Sequence, residues 1–366
     1  MQPSAKNIRL NVYRCFFLDC IVPTPPPPPK GRPEDYRDWS KSASWNGAPA
    51  GYGGADGRIP QTGNNVMIMP KWWMVFDMEQ TVTLDRLYVY GVLEFGNQTF
   101  DQVLKANIIL ISGLSGQLIV GFPDSPVLSN VVISLTGNHD TKDLPLDKSL
   151  NLGAKALGVF GLLRMYGKPH DIHWTRLNQT INVGGTQISV EDAVDWETGD
   201  EIVITTSSFR PEEAEKFTIT EILENGKTLK LNRPAKFMHT AYNKQINGYH
   251  VKMSAKVGLI SRNVKIEGAN EPSRSLDDQS FGCRVLVGQY GGEGGIPYRG
   301  RAELSEVQFS HCGQYGWTES YDPRYVYHCT MYHFIFKVFK IYIYTSLSAL
   351  ENICKYYKRA YRNVPV

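Results

Sequence analysis

The sequence predicts an all-β protein with a right-handed parallel β-helix-like body. Short apolar runs recur after turns, among them "NVMIMP", "VTLDRLYVYGVLEF", "ANIILISG", "GQLIVG", "NVVISLTG" and "EIVITTS". Several alternate apolar and polar residues, the period of a half-buried strand, and β-branched residues are frequent in them. Most of the 33 glycines fall between these runs, yet Asn225-Gly226 in "ILENGKTLKL" is the one good two-residue hairpin signal. Many short strands with few hairpins fit a sandwich or a parallel β-helix, in which each coil stacks its strands on the next. Pieces such as "GRAELSEVQFSHCGQYG" and "VGLISRNVKIEG" read as single coils, with Val307 and Phe309 pointing inward and Gly313 and Gly316 at a corner. That favours the β-helix.

In chain order, residues 1–37 form a lead-in that ends in "PTPPPPPKGRP", a stiff polyproline linker unable to join a sheet. Residues 38–168 and 169–325 carry the strand-like runs, the second block reading as further β-helix-like repeats. "RPEEAEKF" supports a short turn at most. From Val326 to Val366 the texture changes: Tyr, Phe, Ile and Lys are dense and Gly is absent. This divergent tail reads as the product of truncation or alternative splicing, and its exposed apolar run would be an aggregation hazard if unpacked.

Bulk chemistry narrows the function. The 366 residues suffice for one large domain or two ordinary ones, and 39 basic against 36 acidic residues give a net charge of +3. So balanced a charge argues against nucleic acid or an anionic membrane as partner. "GQYGGEGG" lacks the Lys and Ser/Thr of a phosphate loop, and no cofactor is expected. The six cysteines include no CxxC pair, which argues against a zinc ribbon. Cys283 and Cys312 could bridge neighbouring layers in an extracellular protein, or remain two buried thiols. Sequons at Asn97 and Asn178 nudge the reading toward a secretory route. No signal peptide is visible. The best candidate span, from Met331, is short and carries Lys337 and Lys340, so a membrane is expected only through a span absent from this chain.

Residues from Trp45 and Gly47 through Gly63 before "NVMI", then "VTLDRLYVYGVLEF", "LKANIILISG", "GQLIVG" and "ISLTG", resemble a G8 domain, placed at 38–168. The resemblance assigns Gly47, Gly63, Gly91, Gly96, Gly113, Gly116, Gly121 and Gly137 as its recurrent glycines. Beyond it, "LRMYGKPHDIHWTRL", "VEDAVDWETGDEIVITTSSF" and "GQYGWTESYDPRY" are similar to the region that follows this domain in the fibrocystin family. The resemblance implies a fragment of a large receptor-like cell-surface glycoprotein. Its expected role is non-enzymatic: adhesion, recognition of an extracellular glycan or protein ligand, or a surface coat. A related branch, typified by transmembrane protein 2, degrades hyaluronan and implies the alternative of a glycan-processing enzyme. A nonfunctional truncated product is a third reading.

Candidate sites follow the same alternatives. "DAVDWETGDEIVITTSS" places Asp195 and Asp200 across a turn beside Trp196. Two carboxylates about 5–10 Å apart across a sugar would be a glycosidase pair. The turn itself needs Gly199 and Asp side chains that bond backbone N–H groups, and this reading is preferred. His170 and His173, read as extended backbone, point to opposite sides and hold no metal. Asp140, Asp143 and Asp147 lie in a polar loop without EF-hand spacing, so no metal is expected there. Tyr52, Trp72 and Trp73 are candidate ligand-binding aromatics, although adjacent strand residues face opposite ways and one tryptophan belongs in the core.

Overall fold

The computed structural model describes residues 31–96, 99–138, 140–146, 150–269, 281–291 and 297–313, and the backbone of 339–341. The chain is nearly all-β: among the described residues the only helical segments are the short 3-10 turns Ser42–Trp45, Pro211–Glu213 and Glu224–Gly226. It divides into two units, Met1–Lys168 with Asn263–Val366, and Pro169–Arg262.

The first unit is built from three parallel ladders that the chain visits in a fixed order. The first ladder pairs Asn65–Ile68, Leu84–Val89, residues 106–111, Ala156–Val159 and Arg284–Val287. A second ladder pairs Trp73–Phe76, Val92–Phe95, Gln117–Val120, Leu162–Tyr166 and Arg301–Ser305. In the third, residues 102–106, Val131–Leu135, Val264–Gly268 and Val307–Ser310 follow one another. The first pass reaches the third ladder only through the Gln80–Val103 bridge, and each later pass contributes a strand to the first, second and third ladder in turn. Gln102–Ile111 is long because it turns from the third ladder into the first without a break.

In-register pairing stacks like on like. Val66, Leu87, Ile109, Leu157 and Val285 form one inward column, and Phe76, Phe95, Val120, Met165 and Leu304 another. Apart from the half-buried Val285 these side chains are buried, and they belong to one continuous core. Each such burial is worth roughly 1.5–3 kcal/mol. At the N-terminal end Trp39 and Trp45 close the core, the Trp45 indole N–H donating to the Trp39 carbonyl at 3.0 Å with ring centroids 4.9 Å apart.

The bend from the first ladder into the second needs glycine for lack of space. A Cβ on Gly161 would lie 2.2 Å from the carbonyl oxygen of Gly116, and one on Gly116 would lie 2.7 Å from that of Val89. Gly91 and Gly300 are crowded by backbone carbonyls in the same way. The close approach serves the next hydrogen bond, from Leu162 N–H to the Gly116 carbonyl at 2.9 Å.

The sequence reading carried coil repeats from 169 to 325, but the structure interrupts them. Residues 169–262 form an antiparallel unit in which Trp174–Arg176, Lys256–Leu259, Glu201–Ile204, Glu215–Leu223, Thr228–Leu231 and Gln187–Ser189 lie side by side. Leu177, Trp196, Ile202, Ile204, Phe217, Leu229 and Val257 fill its own core. Asn225-Gly226 does connect two antiparallel strands there. "VGLISRNVKIEG", read as one coil, is split between the two units at Arg262 and Asn263. Periodicity could not show this, because the antiparallel and parallel strands carry the same alternation. Asn263 restores the coil stack: its side-chain oxygen accepts from Lys168 N–H at 2.8 Å, while its amide donates to the carbonyls of Val127 and Ser129.

Candidate functional site

Two acids of "DAVDWETGD", Asp195 and Asp200, bond backbone N–H groups. Asp195 accepts from the N–H groups of Asp171 at 2.7 Å and Ile172 at 3.1 Å, and the buried Trp196 donates its indole N–H to the Ile172 carbonyl. Burial pushes the Asp195 carboxyl up, but the N–H donors outweigh it and hold the group below the usual carboxylate range. Asp200 accepts from Glu197 N–H and from the Ser261 hydroxyl, each at 2.7 Å. Between them Gly199 has φ +98°. The arrangement is a pinned turn, with the Asp195 carboxylate held ionised by its N–H donors.

The histidines differ from expectation. His170 and His173 are not on opposite sides of a strand; their rings meet edge to face with centroids 6.5 Å apart, because the backbone before Trp174 is bent rather than extended. No group of three or more His, Cys, Asp or Glu able to hold a metal occurs among the described residues.

Trp73 is buried on the strand Trp73–Phe76, its indole N–H bonded to Glu94, so it has no free face. Trp72 sits at the preceding turn with the Arg37 guanidinium 4.1 Å above its ring. Tyr52 is half-buried and meets Tyr88 edge-on at 5.9 Å, and Tyr88 stacks on Tyr90 at 6.2 Å. The three tyrosines form a short aromatic row.

Arg86, two residues before Tyr88 on the same strand, borders a polar cleft of 430 Å³ with Asp85, Asn107, Asn138, Asp140 and Lys142. Coil register builds it. Asp85, Asn107 and Thr136 occupy matching corners of successive coils, next to the paired Leu84, Ala106 and Leu135. Asn107 donates to Asp85 at 3.0 Å and accepts from the Thr136 hydroxyl at 2.7 Å. The loop that follows folds back over this chain, held where Arg86 donates to the Lys142 carbonyl at 3.0 Å. Arg86 and Tyr88 share the outward face of one strand, since Leu87 between them points into the core. Sequence reading found this loop only as an acidic stretch; the signal it lacked was the matching coil position of Asp85 and Asn107.

A second arrangement was not foreseen at all. Glu215, buried in the antiparallel unit, accepts from Arg233 at 2.8 Å, from the N–H groups of Lys236 and Phe237, and faces His239 Nε2 at 3.2 Å. Burial pushes its carboxyl up, but these donors, Arg233 foremost, bring it down to about 2. The set is a closed structural cluster, with every Glu215 partner inside the unit.

Cys283 and Cys312 are joined by a disulfide and sit on adjacent coils as a parallel bridge. Asn178 is exposed, with Thr180 two residues on. Asn97, Asp147 and, apart from the backbone of 339–341, the tail from 326 lie outside the described residues. Among the described residues no helix is long and apolar enough to cross a membrane.

Comparison with known proteins matches the G8 domain model to residues 45–178. Fibrocystin-L of Homo sapiens is 38% identical over 341 residues, covering 89% of this chain and 8% of that protein. Fibrocystin of Canis lupus familiaris is 31% identical over 284 residues, 77% of this chain and 7% of the relative. A G8 domain-containing protein of Dictyostelium discoideum is 26% identical over 289 residues, 76% of this chain and 18% of its own length. The chain thus spans a small part of each relative.

Proposed function

Because this chain is a fibrocystin-L-like G8 protein, we propose that it serves as a non-enzymatic extracellular module of a large receptor-like cell-surface protein. Its role is adhesion or ligand recognition. The observation that carries the non-enzymatic reading is the engagement of Asp195 and Asp200 by turn donors, which gives the one acid pair suggested by the sequence a structural role. The Cys283–Cys312 bridge supports an oxidising, extracellular setting. The exposed Asn178 sequon fits a glycoprotein.

The finer architecture belongs to the same proposal. Three parallel ladders visited in constant order support a right-handed parallel β-helix, since parallel crossover connections are right-handed in about 98% of cases. Such a body presents side chains in columns and suits extended recognition surfaces.

The test is incubation of the purified chain with hyaluronan, followed by product sizing. Unchanged polymer length is the expected result. Shortening that disappears in Asp195→Asn or Asp200→Asn would establish the alternative, a glycan-processing enzyme. Secretory expression checks the compartment: a mass increment lost in Asn178→Gln is expected.

A further inference from the structure

The geometry points to the cleft bordered by Arg86 as a binding site for an uncharged oligosaccharide. Three features define that ligand class. First, the cleft is polar in both senses, offering carboxylate acceptors on Asp85 and Asp140 and cationic groups on Arg86 and Lys142. A sugar hydroxyl donates and accepts at once, so it can use neighbouring groups of both kinds. Second, the formal charges cancel. An anionic sugar or phosphate drawn to Arg86 and Lys142 meets Asp85 and Asp140, and a cation drawn to the acids meets the two bases; a neutral ligand meets neither penalty. Third, Arg86 shares its outward strand face with Tyr88, which packs on the cluster around Ile108 and Leu110 and meets Tyr52 and Tyr90. Half-buried tyrosine rings offer an apolar surface for the C–H face of a pyranose, with a hydroxyl at the rim.

The volume of 430 Å³ lies in the range of small-molecule sites.

The inference rests on the recognition role proposed above. Isothermal titration of the whole chain with cellohexaose, chitohexaose, mannohexaose and maltohexaose tests it, against hyaluronan and heparin hexasaccharides as anionic comparators. At least one uncharged hexasaccharide should bind at micromolar to millimolar concentration. Tyr52→Ala and Lys142→Ala, both at loop positions, should each weaken it about threefold or more, and Arg86→Ala or Tyr88→Ala about tenfold or more. Lys252→Ala, in the other unit, should leave it unchanged. Melting curves of each variant separate loss of binding from loss of fold. Absence of binding by all four uncharged sugars, tighter binding of the anionic pair, or binding indifferent to Tyr52→Ala and Lys142→Ala in folded protein overturns the assignment. Failure here leaves the hyaluronan result untouched, so the two readings fall separately.

Discussion

Gly161 stands directly over Gly116, so close that the Cβ it lacks would lie 2.2 Å from the Gly116 carbonyl oxygen. The neighbour cannot yield, because that carbonyl already accepts from Leu162 N–H at 2.9 Å. Gly161→Ala should therefore destabilise the first unit by about 3 kcal/mol or more, the cost of overpacking against backbone. Gly291→Ala, where nothing lies within 4 Å, should change stability by less than about 1 kcal/mol. Urea unfolding of the two variants makes the comparison, and equal midpoints would refute the packing account.

Glu215 gives the antiparallel unit a dependence on acid. Its carboxyl sits at about 2 when folded, below the ordinary carboxylate range. A depressed carboxylate adds stability that is complete above its unfolded value and is lost as pH falls through the folded value. Melting temperature should thus fall between about pH 4.5 and pH 2 more steeply in the native chain than in Glu215→Gln. At neutral pH Glu215→Ala should cost about 1–3 kcal/mol, since it removes the acceptor shared by Arg233 and the N–H groups of Lys236 and Phe237 and a polar partner of the buried His239.

Asp195 predicts a milder effect of the same sign. Its pKa is also lowered, so its contribution is present above the unfolded carboxylate value and fades as pH drops. Asp195→Ala removes the acceptor for two N–H groups and should cost about 1–3 kcal/mol, read by thermal melts of the purified chain.

The Cys283–Cys312 bridge should be worth about 2–4 kcal/mol. Melting with and without a reductant measures it. Cys283→Ser should melt at the same lowered temperature in both conditions; a native chain indifferent to reductant contradicts the assignment.

The sequence disclosed the strand content through Val307 and Phe309, whose alternation reappears as two buried residues on one ladder. It disclosed the turn at Asp195 and Asp200 through Gly199 and the Asp side chains around it. Coil register stayed hidden, and with it the cleft: Asp85, Asn107 and Thr136 come together only because three passes of unequal length reach the same corner. Likewise Glu215 lies 18 residues from Arg233 and 24 from His239, and no local pattern marks residues that meet across such separations.

Asn263 has a consequence for how such a chain can grow. One side chain ties Lys168, Val127 and Ser129 together at the place where a whole antiparallel unit leaves and re-enters the stack. The three hydrogen bonds at that corner all lie within the first unit. The corner is in effect a splice point, where foreign cargo of any length could replace residues 169–262 at little entropic cost, because loop closure grows only slowly with length. A scaffold of this kind acquires new parts by interruption as well as by adding coils at its ends.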